Sequence, residues 1–400
     1  MPPEVDNYLL IIPLFIAVAV GWWLGRRERQ ARSKEQIKRL YSNISRDYFT
    51  GLDYLLNERT DEAIESFIKA LEVNSDTIPA HIALAKLFRR KGDVDRAIQI
   101  HQNLLARPDL DRSEFLRVQM ALARDYYAIG LLDRAENLLL EIIRQRPMRE
   151  TLVKAQRLLI SLYEKEAEWE KALTAADQLV ADERKLLSRE LAHYCCELAE
   201  ALIVRHQYTE AQGYLRRSET YDPHGIRGCL ISARIAMDQS QWKLAIKHLK
   251  LAVDRDPVFV SETLDLLRRC YDHLAAEKDL NAYLKRCMVN APSTSVTLAV
   301  AEQIKDEQGL YVAGSFITEE LKKRPSVKGF NRLIDMHIEH GAESARDSLR
   351  VLRGLTGQLE LSKPVYRCNN CGFSGKSLLW QCPSCKKWST TKPIQGLEGE

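Results

Sequence analysis

The chain has 400 residues, 45% of them apolar and 28% charged, and a formal charge of +4. That length exceeds one compact core, and the composition is ordinary for folded protein. Residues 1–25 sum to −2, residues 26–46 to +6 and the remainder to zero; without a basic field over the body, nucleic acid is disfavoured as its partner.

After a short start at residues 1–7, Tyr8–Leu24 reads YLLIIPLFIAVAVGWWL, without a charge in seventeen residues. As a helix it covers about 26 Å, just short of a bilayer's hydrocarbon core of about 30 Å, and flanking residues make up the difference. Tyr8 and the pair Trp22, Trp23 sit at its ends, where amphipathic rings favour the membrane interface. Pro13 lies early enough to be tolerated. The acidic start and the bulky tryptophans argue against a cleaved signal peptide. The expectation is one transmembrane helix over residues 8–25. Arg26, Arg27, Arg29, Arg32 and Lys34 follow in a basic juxtamembrane segment, 26–43. The positive-inside rule places that side, and all that follows, in the cytoplasm, with residues 1–7 across the membrane. The basic residues serve as a topology signal alone or also hold anionic headgroups. A reducing compartment favours thiols and metal thiolates over disulfides.

From residue 44 to 358 the chain repeats itself. An alanine is followed by apolar residues four and seven positions later, centred on Ala63, Ala97, Ala135, Ala172, Ala211, Ala245, Ala282, Ala313 and Ala345. The gaps are 34, 38, 37, 39, 34, 37, 31 and 32 residues. Pro147, Pro223, Pro257 and Pro325 each fall twelve residues after an alanine. Each unit reads as two amphipathic helices joined by a short turn, as at Lys91-Gly92-Asp93. Small residues such as Gly51, Ala85, Ala63 and Ala97 let the helices approach, and the proline ends the second helix. This is the tetratricopeptide pattern, with about nine repeats, the last three degenerate. Such an array is a solenoid with a concave face for protein segments. Tyr127 and Arg89 are candidates for that groove, with ordinary packing as the plainer reading.

Gly354, Gly357 and Pro364 interrupt the last helix and make a short linker. Residues 364–392 then carry YRCNNCGFSGKSLLWQCPSCKKWSTT, with Cys368 and Cys371 as one C-x2-C pair and Cys382 and Cys385 as a second. Two residues between cysteines let one tight turn aim both sulfurs at one point, and two such knuckles make a tetrathiolate site for one metal ion. Gly372 suits the first turn and Pro383 stiffens the second. Four protein ligands leave no open position for hydrolysis. So short a segment cannot fold on apolar burial alone, so the metal supplies its folding free energy. Iron and zinc both accept four thiolates. The string C-x2-C-G-F…C-P-x-C resembles rubredoxin knuckles, except for a short spacer and Lys386 in place of a second glycine. Trp380 and Trp388 offer aromatic area for docking onto the repeats. The tail, 393–400, reads as loosely ordered.

No phosphate-binding glycine loop, H-E-x-x-H or G-x-S-x-G is present, so no catalytic residue is assigned. Cys195, Cys196, Cys229, Cys270 and Cys287 read as small apolar residues on helices. His224 reads as a loop residue, and Glu164–Glu170 as a solvated helix face.

The order of parts then becomes diagnostic. An anchor with WWLGRR, a tetratricopeptide array and YRCNNCGF…WQCPSCKKWST together resemble the lipopolysaccharide assembly protein B family of Gram-negative inner membranes. The resemblance covers the whole chain. It implies an all-α tetratricopeptide-repeat superhelical solenoid with one N-terminal transmembrane helix and a small C-terminal rubredoxin-like or zinc-ribbon metal module. It implies no enzyme, but an adaptor that helps an FtsH-type membrane protease degrade the lipid A pathway deacetylase. Other lipopolysaccharide assembly proteins and an inner-membrane lipopolysaccharide-sensing regulator are the further partners it implies. The metal ligands carry over to Cys368, Cys371, Cys382 and Cys385, and no partner-binding residue carries over. Electron transfer at an iron site, or RNA binding by the basic terminal ribbon, remain as alternatives. The sequence leaves the oligomeric state open, a dimer included.

Overall fold

A computed structural model describes residues 46–73, 78–340, 343–397 and Gly399. The apolar run at 8–25 and the basic segment at 26–43 lie outside the described residues. Among the described residues no helix is long and apolar enough to cross a membrane.

Two compact units divide the chain between Leu162 and Tyr163. The first contains α1 (Arg46–Leu56), α2 (Thr60–Val73), α3 (Ile78–Lys91), α4 (Val94–Leu105), α5 (Arg112–Ile129), α6 (Leu132–Arg144) and most of α7 (Arg149–Lys165). The second contains α8 (Trp169–Asp177), a short α9 (Ala181–Leu186), α10 (Ser188–Val204), α11 (Tyr208–Tyr221), α12 (Ile226–Asp238) and α13 (Trp242–Arg255). It continues through a 3-10 turn (Pro257–Phe259), α14 (Val260–His273), α15 (Glu277–Asn290), α16 (Thr294–Gln308), α17 (Leu310–Lys323), α18 (Val327–His340) and α19 (Glu343–Ser362). Three short strands close it: β1 (Tyr366–Cys368), β2 (Ser374–Gly375) and β3 (Thr391–Pro393).

The helices pair as tetratricopeptide hairpins, and the alanine signature explains why. Ala63, Ala97, Ala135, Ala172, Ala211, Ala245 and Ala313 each occupy the fourth position of a second helix, and all are fully buried. A methyl there lets the two helices of a pair approach closely. Gly51 of α1 does the same from the other side, for a Cβ there would stand 3.0 Å from the Phe67 ring. Ala282 and Ala345 break the expectation, because both are exposed. In α15 the fourth position is Leu280, which packs with Tyr283, Leu284 and Cys287 in the core. It lies 35 residues after Ala245 and 33 before Ala313, so the period holds where the residue type does not.

The turns share one backbone device. Glu58, Gly92, Gly130, Ala167, His206, Ser240 and Ala275 all have positive φ, each two residues before a second helix. The next N–H then bonds the carbonyl five residues back, as Asp93 does to Phe88 at 2.9 Å and Gln241 to Ala236 at 2.7 Å. That bond satisfies a carbonyl the ending helix leaves free. Prolines 147, 223, 257 and 325 fall between pairs, after α6, α11, α13 and α17.

Two further expectations need correction. Helix α19 does not break at Gly354 or Gly357 but runs on to Ser362, before Pro364. A helical glycine costs about 1 kcal/mol, which contacts with α18 outweigh. A Cβ at Gly357 would sit 2.6 Å from Arg353 Nη1, so the glycine clears room for the Arg353–Asp335 pair at 2.7 Å. The described residues of the tail make specific contacts. Ile394 is buried, the Leu397 carbonyl accepts from Val327 N–H at 3.3 Å, and the Gly399 carbonyl accepts from the Ser326 hydroxyl at 3.3 Å. These residues cap the start of α18, where a helix lacks internal partners. Arg89 is tied to the fully buried Asp125, which also holds the fully buried His101, and Tyr127 donates to the Ser161 carbonyl at 3.5 Å. These are the ordinary packing contacts of the plainer reading.

Candidate metal centre

The two C-x2-C pairs fold as matched knuckles. In the first, Gly372 N–H donates to the Cys368 carbonyl at 2.9 Å, and Cys368 N–H to the Phe373 carbonyl at 2.7 Å. In the second, Lys386 N–H donates to the Cys382 carbonyl at 2.9 Å, and Cys382 N–H to the Lys387 carbonyl at 3.0 Å. Gly372 has φ +79° and Lys386 has φ +59°. Lys386 thus takes the left-handed backbone that glycine favours, and the departure from the rubredoxin pattern leaves the knuckle's shape unchanged. The three strands, antiparallel in the order β2-β1-β3, pair Cys368 with Thr391 and so carry the first knuckle. Lys387 Nζ reaches Asn370 Oδ1 at 2.7 Å and ties the second knuckle to the first.

The four sulfurs of Cys368, Cys371, Cys382 and Cys385 lie within 4.8 Å of one another. Cys368 and Cys385 are 3.8 Å apart, Cys371 and Cys382 3.6 Å. A tetrahedron with metal–sulfur bonds of about 2.3 Å has edges of about 3.8 Å, so the set fits one tetrathiolate ion. The same spacing is far too long for disulfides. Asn370 N–H points at Cys368 Sγ at 3.4 Å, and Thr390 Oγ1 stands 3.2 Å from it. Burial opposes ionisation of Cys368, but these hydrogen bonds outweigh it and bring the thiol down to about 6. Burial dominates at Cys382 and pushes it up to about 11. The Lys387 backbone N–H brings Cys385 down.

Residues beside the ligands dock the ribbon onto the helices of its own unit. Trp388 Nε1 and Gln381 Nε2 donate to Glu164 Oε1 at 2.8 and 2.6 Å, and Tyr194 donates to Glu164 Oε2 at 2.6 Å. His193 Nε2 meets the Ser389 hydroxyl at 2.6 Å, and its ring stacks on Trp388 at 4.7 Å. Burial, with Arg227 nearby, holds His193 down at about 3, so the ring is neutral. Trp380 stacks on Phe259 at 5.9 Å, with the Arg227 guanidinium 5.9 Å above its ring. Tyr366 donates to Glu262 at 2.7 Å, and Lys392 pairs with Asp256 at 2.7 Å. Arg227 is itself held by Glu197 at 2.8 Å and Glu200 at 2.6 Å.

Trp380 and Trp388 therefore do lie on the docking face. Glu164, expected on a solvated helix face, is instead half-buried at the centre of the dock. Sequence reasoning missed it along with His193, Phe259 and Glu262, since each finds its ribbon partner more than a hundred residues away. The helical cysteines are buried. Burial pushes Cys195 up to about 12 and Cys196 to about 11, which suits inert packing.

A family model described as a rubredoxin metal binding domain matches residues 366–393, and a tetratricopeptide repeat model matches residues 80–113. Lipopolysaccharide assembly protein B of Escherichia coli K12 is 35% identical over 392 residues, 98% of this chain and 99% of that protein. The chain belongs to the lipopolysaccharide assembly protein B family. The family's Haemophilus influenzae protein is 32% identical over 399 residues, again 98% and 99% of the two chains. Among solved structures, the C-terminal part of a tetratricopeptide protein from Cytophaga hutchinsonii aligns at TM-score 0.43 and 12% identity, covering 61% of this chain and 95% of that one.

Proposed function

We propose that this chain is a membrane-anchored adaptor in lipopolysaccharide synthesis, with no catalytic chemistry of its own. One observation carries the reading. The sulfurs fill a closed tetrahedral set, and residues flanking them are committed to holding the ribbon on the repeats. The ion, zinc or iron, is then structural, and the helical hairpins are left to hold partners.

The anchor is the apolar run at 8–25, with residues 1–7 periplasmic and the body cytoplasmic at the inner membrane. Confinement there raises the local concentration of the repeats beside membrane-bound partners. Those partners are an FtsH-type protease, the lipid A pathway deacetylase, other lipopolysaccharide assembly proteins and a lipopolysaccharide-sensing regulator. The adaptor presents the deacetylase for degradation.

The deciding experiment follows deacetylase level after depletion of this chain, with a protease-inactive strain alongside. A rise that vanishes in that strain supports the adaptor; an unchanged level rejects it. A visible band that bleaches on reduction would instead support electron transfer at iron.

A further inference from the structure

Charge in the first unit is sorted by helix. Residues 47–400 sum to zero, but that balance hides two opposite populations. The first helices of the second, third and fourth pairs, α3, α5 and α7 as far as Leu162, carry ten basic and three acidic residues. The second helices α2, α4 and α6 carry four basic and eight acidic ones. Helix α3 has no acidic residue at all. Two of the three acids on the first helices are already committed. Asp125 is fully buried against Arg89 and His101, and Glu150 pairs with Lys154 in its own helix. The third, Glu114, lies in the first turn of α5, where the helix dipole favours it.

Some of the ten cations are also committed. Arg89 is tied to Asp125, Lys91 pairs with Asp61 at 2.6 Å, and the Asp111 carboxylate lies near Arg117. Lys86, Arg90 and Arg124 make no ion pair or hydrogen bond among the described residues. Lys86 and Arg90 are exposed and stand one turn apart on α3, and Arg124 of α5 is half-buried. The two helices meet there, for Arg89 Nη1 reaches from α3 to the Ala121 carbonyl of α5 at 3.4 Å and to Asp125. That contact sets a second guanidinium beside Arg124. Burial first, and then the Arg89 charge, pull Arg124 below its ordinary value, with Asp125 opposing them. An anion laid over Arg124 relieves that repulsion.

We propose that this face binds an acidic, extended segment of a protein partner, whose carboxylates meet Lys86 and Arg90 on α3 and Arg124 on α5. Packed helices stand about 8–10 Å apart, and a polyproline-II chain repeats every three residues, or about 9 Å. An acidic residue at every third position therefore presents one carboxylate to each helix that the segment crosses. A flat lipid surface meets exposed Lys86 and Arg90 more readily than half-buried Arg124; a narrow peptide reaches all three. Single-stranded nucleic acid stacks its bases on exposed aromatic rings. On α3 and α5, Phe88 and Tyr126 are buried and Phe115 and Tyr127 half-buried. The proposal deepens the adaptor reading by naming the chemistry of one partner. It rests on that reading for its role in the cell, and the binding itself does not.

The test is fluorescence anisotropy on the full-length chain in detergent, with a labelled peptide of about a dozen residues bearing glutamate at every third position. The peptide should bind, and more weakly as salt rises. Its glutamine analogue should bind at least about tenfold more weakly. Lys86→Glu with Arg90→Glu, both exposed, should weaken binding at least about tenfold, and Arg124→Gln at least about threefold. Lys69→Glu with Arg144→Glu makes the same charge change at exposed positions of α2 and α6 and should leave binding within about twofold. No binding at low salt, unaltered binding by the exposed α3 pair, or an equal loss in the α2 and α6 pair each overturns the proposal. Displacement of the peptide by phosphatidylglycerol in mixed micelles, or by single-stranded RNA, at a lower charge concentration than the peptide's own also overturns it, and names lipid or nucleic acid as the occupant. None of these readouts involves the deacetylase or the protease, so this proposal and the functional reading fail separately.

Discussion

The helical pairs and the terminal ribbon solve the burial problem in opposite ways. A pair such as α12 and α13 hides Cys229, Leu230, Ala233, Ala236, Ala245, Ile246, Leu249 and Ala252 in one continuous core shared with its neighbours. The ribbon hides Cys368, Cys382, Trp388, Thr391 and Ile394 among few others. A repeat draws stability from apolar area against units of its own kind. The ribbon has too little area for that; it has instead four cysteine sulfurs placed to hold one ion and a dock on the helices of its unit.

The strongest way to break this contrast is to remove the ion. A structural tetrathiolate site contributes on the order of 10 kcal/mol to the module that holds it. Chelation, or Cys382→Ser, should abolish amide protection across residues 366–393 while the helical circular dichroism stays within a few per cent. Protection that survives metal removal would show that the dock alone folds the ribbon.

The dock comes next in size. Glu164→Ala leaves the Trp388 indole, the Gln381 amide and the Tyr194 hydroxyl without their shared acceptor. Stranding such donors costs about 2–4 kcal/mol in total once water re-enters. Metal should then leave the ribbon faster under chelator challenge, with the helices intact. An unaltered release rate would place the dock's strength in the stacked rings instead.

His193 makes the same interface sensitive to acid. Its docked value of about 3 lies below the ordinary histidine value of 6.5, because burial and the Arg227 charge on α12 disfavour the cation. Ser389 and the rings of Trp380 and Trp388 face it from the ribbon. Above pH 6.5 both states are neutral and docking is at full strength. Below 6.5 only the undocked ring takes a proton, so docking weakens by about 1.4 kcal/mol per unit, or about 2 kcal/mol by pH 5. His193→Asn should flatten the tryptophan fluorescence profile between pH 6.5 and 5. A profile as steep as the unsubstituted chain's would assign the effect to another group.

The helices, their pairing and the four sulfurs were legible because each depends on residues close in sequence. Alanine at the fourth helical position and two residues between cysteines are local patterns, and local patterns survive translation into structure. Glu164 and His193 were hidden because their roles are set by a ribbon folded about 200 residues downstream. Gly354 and Gly357 misled for the reverse reason: a propensity of about 1 kcal/mol reads strongly in sequence and loses to packing. The fourth-position rule failed at Leu280, where a larger side chain fills the same core site, so residue type proved less durable than spacing.

The finest probe runs through the backbone, where ribbon and repeats use the same device. Left-handed residues close both the helix turns and the second knuckle, and most of them are not glycine. Ala275 at φ +50° and Lys386 at φ +59° each hold a conformation that costs a side-chain-bearing residue roughly 1 kcal/mol. Ala275→Gly should raise the stability of the helical unit by somewhat less than that, because glycine also loosens the unfolded chain. Lys386→Gly should show little in a thermal melt of the helices but should slow metal release severalfold. Gly130→Ala is the reciprocal control. At φ +85° a Cβ there meets nothing within 4 Å, so backbone strain alone should lower stability by about 1 kcal/mol. If Gly130→Ala is neutral, the turns are held by their hydrogen bonds loosely enough to relax, and the gain expected at Ala275 disappears with it.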